Sequence, residues 1–234
     1  MAFRFKQFSI TDDRCAMKVG VDAVLLGAWA DTSAAHNILD IGTGSGVIAL
    51  MLAQRSEAGI HAIEIDPEAA GQARENAVLS PWADRVSVEN ISVQEFALSG
   101  ELRFDLLVCN PPYFINSLLS PASGRNKARH TGDLSYNDLA DAFAKLTIPG
   151  GKCCVILPLP ESRLFETIME THRFVPDRKL LVYPKPEKPA NRVLMEFVCG
   201  SVHHVEEEFL YIRSYENTYS NEYKKLTGDF YLDF

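Results

Sequence analysis

Asn37-Ile-Leu-Asp40-Ile-Gly42-Thr-Gly44-Ser-Gly46-Val-Ile-Ala-Leu50 is the stretch on which the fold turns. Its first five residues read as a short buried strand, and Gly46–Arg55 as a helix opening on the glycines. Glycines at a strand-to-helix turn let the backbone bend sharply and approach a ligand with no Cβ in the way. Outward from this unit the pattern repeats. Ile60–Ile65, Val86–Glu89, Phe104–Cys109, Lys152–Leu157, Arg178–Tyr183 and Val193–Cys199 read as further strands. Pro67–Leu79, Ser135–Leu146 and Glu161–Thr171 read as helices. Such alternation predicts an α/β fold with a mostly parallel seven-stranded sheet and helices on both faces. No helix separates the last two strands, so the last is expected to run antiparallel. Residues 1–35 read as an N-terminal extension, a short β segment and a helix from Asp22, packed on the domain of residues 36–234.

The chain has 234 residues, 47% apolar and 23% charged, which excludes disordered, collagenous and disulfide-scaffold classes. A net charge of −8 taken whole argues against non-specific nucleic-acid binding. Charge placed along the chain reverses that leaning: residues 121–192 carry a net +4, concentrated around two irregular stretches, Asn110–Gly132 and Tyr183–Pro189. The apolar runs Ala23–Ala30 and Val47–Ala53 fall far short of the roughly 20 residues that span a bilayer. The N-terminal residues hold no apolar segment of leader length, so a cytoplasmic protein without a membrane partner is expected. Five cysteines show neither CxxC nor metal-ligand spacing, which predicts reduced thiols and no metal. Cys153 and Cys154, adjacent in a strand, should face opposite sides of the sheet.

In open α/β sheets ligands bind beyond the carboxyl ends of the strands. A dinucleotide fingerprint fails here, because its third glycine would fall on Val47. The spacing of Gly42, Gly44 and Gly46, with Asp40 and Thr43, instead resembles the first motif of class I S-adenosylmethionine-dependent methyltransferases, which are Rossmann-like. Glu64 ends the second strand, where a carboxylate can accept from both hydroxyls of a ribose, and Ile65 beside it can pack on adenine. Asp66 reads as the cap of the following helix. The candidate cofactor contacts are Asp40, Gly42, Thr43, Gly44, Gly46, Glu64, Ile65, Ser92, Val93 and Asn110.

Asn110-Pro111-Pro112-Tyr113 closes the fourth strand at the same edge. Consecutive prolines offer carbonyls but no N–H donors. The Asn110 side-chain oxygen and the Pro111 carbonyl can therefore converge on one –NH₂ group. Two such bonds favour a more tetrahedral nitrogen and strengthen toward the transition state of an attack. Tyr113 offers a face on which an unstacked base could lie, worth roughly 1–3 kcal/mol. The motif resembles that of amino-directed methyltransferases, whose substrates include adenine, the guanine amino group and glutamine amides.

The flanks distinguish among these. Phe5-Lys-Gln-Phe8, Asp13-Arg-Cys-Ala-Met-Lys18-Val-Gly20 with Asp22, Leu25–Ala30, Ser80–Arg85 and the block from Tyr219 to Leu232 are similar to the bacterial tRNA1(Val) adenine-N6 methyltransferase family. That resemblance implies S-adenosylmethionine as cofactor, Asn110–Tyr113 as catalytic element, and tRNA, methylated at adenosine 37, as substrate. Two positions depart: Ser92 stands where many relatives have an Asp that contacts adenine, and Val21 replaces a more usual Thr. Arg125, Lys127 and Arg129, after the motif, suit a phosphate-gripping lid. Arg14 and Lys18 are added as tRNA contacts; Lys185, Lys188 and Arg192 are weaker candidates. His203-His204 and Glu206–Glu208 read as solvated surface. No oligomer is implied. A glutamine-amide methyltransferase and a non-catalytic binding module remain the rival readings.

Overall fold

The computed structural model describes residues 2–100, 102–112, 134–200 and 204–234. A small hairpin, β1 (Phe3–Arg4) against β2 (Ser9–Ile10), leads into α1 (Val21–Trp29). Then follow β3 (Asn37–Ile41), α2 (Val47–Arg55), β4 (Gly59–Glu64), α3 (Pro67–Val78), β5 (Val86–Asn90), α4 (Val93–Ser99) and β6 (Phe104–Cys109). The chain continues through α5 (Tyr136–Leu146), β7 (Thr147–Pro158), α6 (Leu159–Thr171), β8 (Phe174–Tyr183), β9 (Arg192–Cys199), β10 (Glu206–Tyr211) and α7 (Asn221–Thr227).

Among the described residues the main sheet has eight strands in the order β10-β8-β9-β7-β6-β3-β4-β5. The pairs β3–β4, β4–β5, β3–β6 and β6–β7 are parallel, and β9 runs antiparallel to both β7 and β8. The mostly parallel sheet and its antiparallel strand are as expected. The expected count of seven is corrected to eight, because β10 adds a further edge strand parallel to β8. Its sequence, Glu-Glu-Glu-Phe-Leu-Tyr, buries Leu210 alone, so no alternation marks it as a strand.

Local chemistry sets the boundaries. Asp66 Oδ1 accepts from the Glu68 and Ala69 N–H groups at 2.8 and 3.3 Å, with Pro67 opening α3. Ser135 and Ser92 cap α5 and α4 in capping boxes with Asp138 and Glu95.

The sheet divides the interior. One cluster joins α1, α2 and the N-terminal Phe5, Phe8 and Ile10 to one face, and the other packs α4, α5 and α6 on the opposite face. Cys154 lies in the first and Cys153 in the second, as strand alternation demands. Toward the amino ends of β6 and β7, fully buried Glu196 meets Lys152 Nζ at 2.9 Å and Arg178 at 3.6 Å. Lys152 also reaches Asp31 at 3.1 Å, while Arg178 lies over the Trp29 ring at 4.6 Å. These contacts clamp the end of α1 to the antiparallel half of the sheet. At the other edge, the carboxyl ends of β3, β4, β5 and β6 stand side by side, with β3 flanked by β4 and β6. The strand order reverses there, and ligands of open α/β sheets bind at that point.

Candidate active site

The β3–α2 turn builds the floor. Gly42, Gly44 and Gly46 have φ of 68, 56 and 83°, a region that side chains disfavour. Among the described residues a Cβ on Gly42 or Gly44 would meet nothing within 4 Å, so both present bare backbone to the space above them. The Gly42 and Thr43 N–H groups both donate to the Ile63 carbonyl, at 2.9 and 3.0 Å, which pins the turn to β4.

Asp40 supports the turn from beneath. It is fully buried, its Oδ2 accepting from Thr43 Oγ1 at 2.5 Å and the Ala49 N–H at 3.1 Å. Its Oδ1 has no hydrogen-bond partner among the described residues. Burial pushes the carboxyl up to about 7 despite those two bonds, and the negative charge of Glu64 adds to the rise.

Glu64 is held by backbone on both sides. Its Oε2 accepts from the Gly44 N–H at 2.9 Å and its Oε1 from the Asp66 N–H at 3.0 Å. Each oxygen keeps further acceptor capacity. Asn90 steadies the end of this strand by donating to the Glu64 and Ile65 carbonyls, both at 2.9 Å.

Above these elements lies a cavity of about 310 Å³. Gly42, Gly44, Glu64, Ile65, Ser92, Val93 and Asn110 all line it, together with Pro111 and Pro112. Asp40, Thr43 and Gly46 are absent from the lining; Thr43 turns its hydroxyl inward to Asp40, and a Cβ on Gly46 would meet Ala73 at 3.4 Å. The Ser92 hydroxyl is engaged twice by Glu95, donating to Oε2 at 2.6 Å and accepting from the N–H at 3.2 Å. Tyr113, Arg125, Lys127 and Arg129 lie outside the described residues.

Arg14 and Lys18 have partners within the chain. Arg14 donates to Gln72 at 3.2 Å and pairs with Glu75 on α3, and Lys18 donates to the Asp12 carbonyl at 2.5 Å. Sequence reasoning missed the third wall, formed by Cys15, Ala16 and Met17 from the segment before α1. The signal for it was the block Asp13–Gly20, read for its resemblance and for the cations Arg14 and Lys18 but not as a cavity wall. Burial raises the Cys15 thiol above its usual range.

Two glycines that form a cradle a Cβ would fill, a carboxylate oriented by two N–H groups, and the apolar faces of Ile65 and Val93 fit an adenosine-bearing cofactor. The volume lies at the lower bound of ordinary ligand sites, roughly 300–1,000 Å³.

Residues 17–122 match the family model of the methyltransferase small domain. A tRNA1(Val) (adenine(37)-N6)-methyltransferase from Bacteroides fragilis strain YCH46 is 45% identical over 98% of this chain and 97% of its own length. The protein of the same description from Trichodesmium erythraeum strain IMS101 is 47% identical, covering 99% of this chain and 98% of its own. The chain belongs to the tRNA1(Val) (adenine(37)-N6)-methyltransferase family. Among solved structures, one described as a predicted O-methyltransferase from Agrobacterium tumefaciens superposes with a TM-score of 0.70 at 22% identity, covering 89% of this chain and 96% of that one. That likeness shows the fold, a Rossmann-like class I methyltransferase sheet.

Proposed function

We propose that this chain transfers a methyl group from S-adenosylmethionine to the N6 amine of adenosine 37 in tRNA1(Val). The observation that carries the reading is the meeting of the glycine cradle, Glu64 and Asn110-Pro111-Pro112 around one cavity. Near-full-length relatives that carry this description support it.

The bound cofactor supplies a methyl group made electrophilic by its sulfonium. Glu64, its two oxygens oriented by the Gly44 and Asp66 N–H groups, would hold the ribose hydroxyls. Gly42 and Gly44 would let the backbone stand against the ligand, and Ile65 and Val93 would flank its adenine. The Asn110 side-chain oxygen and the Pro111 carbonyl accept from the substrate amine and turn its lone pair toward the methyl carbon. With the methyl group supplied by the bound cofactor, the amine would be methylated directly and would afterwards release its proton to water. No protein nucleophile is required. Tyr113 stacks the target base, which leaves a single-stranded loop at low cost.

Phosphate contacts fall to Arg125, Lys127 and Arg129, joined by Lys18, next to Met17 of the cavity wall. Arg14 spends its guanidinium on α3, so its share is expected to be small. No helix among the described residues is long and apolar enough to cross a membrane, and a tRNA substrate puts the reaction in the cytoplasm.

Nucleoside mass spectrometry on tRNA incubated with the protein and S-adenosylmethionine should reveal N6-methyladenosine. Asn110→Ala should abolish the product while calorimetry still detects cofactor binding. No N6-methyladenosine with the wild type, or near-normal turnover by the variant, would overturn the reading.

A further inference from the structure

Asn76 lies on α3, outside the cavity and outside every motif described above. It is 3% exposed, and its side-chain amide spends its hydrogen-bonding groups on two other segments. Oδ1 accepts from the Thr11 N–H at 3.0 Å, and Nδ2 donates to the Thr11 carbonyl at 2.7 Å. The same Nδ2 donates to the Ser45 carbonyl at 2.8 Å, between Gly44 and Gly46. The amide thus holds both backbone groups of Thr11, where the wall segment begins, and one carbonyl of the glycine floor.

From Thr11 the segment folds on itself. Asp12 accepts from the Val19 N–H at 2.9 Å through its carboxylate and from Lys18 through its carbonyl. This small loop carries Cys15, Ala16 and Met17 onto the cavity. Arg14 adds a second tether one helical turn away, on Gln72 and Glu75. Cys15 is buried and Met17 is exposed, so the loop reaches from the cavity interior to its mouth.

We infer that Asn76 is a positioning residue for cofactor binding, an amide latch that sets the distance between the glycine floor and the Cys15–Met17 wall. The inference rests on the reading of this cavity as the S-adenosylmethionine site. Either wall alone is a poor site: the floor offers backbone on one side, and the loop offers largely apolar cover on the other. Removing the amide leaves Thr11 N–H, Thr11 C=O and Ser45 C=O without this partner, and the two walls lose their shared reference. No other side-chain type of similar length supplies one acceptor and two donors in this arrangement.

Isothermal calorimetry with S-adenosylmethionine tests the latch on wild type, Asn76→Ala and a stability control, Ala77→Gly, on the same helix. Asn76→Ala is expected to weaken the cofactor Kd at least tenfold, and to raise its KM while kcat at saturating cofactor stays within about twofold. Ala77→Gly should lower the melting temperature and leave Kd unchanged. Should Asn76→Ala not fold, hydrogen exchange on the wild type decides: saturating S-adenosylmethionine should protect amides 12–19 together with 42–46. Unchanged affinity in Asn76→Ala, an equal loss in Ala77→Gly, or protection confined to 42–46 would overturn the latch while leaving the cofactor site intact. A wild type that binds no S-adenosylmethionine would overturn the cofactor reading itself, and the latch with it.

Discussion

Gly44→Ala separates the cost of a side chain to the fold from its cost to the ligand. Gly44 has φ of 56°, where an L-residue loses roughly 1–2 kcal/mol. Alanine also restricts the unfolded chain, which returns about 0.4–1 kcal/mol. No atom of the described residues lies within 4 Å of the added methyl, so they impose no steric penalty on it. The net loss is on the order of 0.5–1 kcal/mol, a fall in melting temperature of about 2–4 °C for a chain of this size. That methyl stands in the cavity wall, where a cofactor would lie against bare backbone. A clash there should weaken binding at least about tenfold, about 1.4 kcal/mol. Gly46→Ala is the comparison: its φ is 83°, its Cβ would touch Ala73 at 3.4 Å, and it does not line the cavity. It should lose at least as much stability with less effect on affinity. Thermal denaturation and calorimetry with S-adenosylmethionine measure the two axes. Gly44→Ala binding like wild type, or Gly46→Ala losing as much affinity, would refute the assignment of the cradle.

Asp40 gives the ligand-free protein a pH signature. Its carboxyl stands at about 7 in the fold against an ordinary 3.8, so between those values the folded chain holds a proton that the unfolded chain has released. This contribution is complete below about pH 4, is lost as pH rises through 7, and amounts to about 4 kcal/mol. In Asp40→Asn the amide oxygen can keep the bonds from Thr43 and Ala49, and urea midpoints should lose that slope; a slope identical to wild type would remove Asp40 as its source. Glu196→Ala removes one buried carboxylate from Lys152 and Arg178, which keep Asp31 and Glu208, and should cost about 2–3 kcal/mol, on the order of 4–12 °C by scanning calorimetry. A shift of only a degree or two would show that the clamp contributes little. Of the five cysteines Cys199 alone is exposed, and burial raises the Cys15, Cys109, Cys153 and Cys154 thiols. A thiol-reactive chromophore should therefore titrate one group natively and all five after denaturation; rapid native reaction of a second thiol would contradict this packing.

Much of the fold was legible where residue chemistry leaves one option. Gly42, Gly44 and Gly46 needed positive φ, Pro67 and Asp66 opened a helix, and Cys153-Cys154 had to straddle a sheet. The parts that escaped are short or long-range. α4 and α7 have seven residues each, too few for a helical period to register. Ser92 stands where many relatives have an adenine-contacting Asp, yet Ser92 with Glu95 three residues on spells a capping box, and that bond takes the hydroxyl. The Cys15–Met17 wall is tied to the cavity by Asn76, Gln72 and Glu75, partners on α3 more than fifty residues away. Hydrophobic pattern records which face is buried, and it carries no trace of such a tether.

The last strand of the sheet has a colloidal consequence. Among the described residues β10 leaves one margin of the sheet without a neighbouring strand, and its first three residues are Glu206, Glu207 and Glu208, all exposed. A second copy approaching that margin to extend the sheet would bring the Glu206 and Glu207 carboxylates of both copies toward one another, Glu208 being paired with Arg178. This repulsion acts at a distance of about 8 Å in physiological salt and shrinks to about 3 Å at 1 M. Exposed Phe209 and Tyr211 follow the glutamates directly, so once the carboxylates are screened the same margin presents aromatic rings to a neighbour. The chain should stay dispersed at low ionic strength and gain a tendency to associate as salt is raised, the reverse of its expected response to an RNA partner.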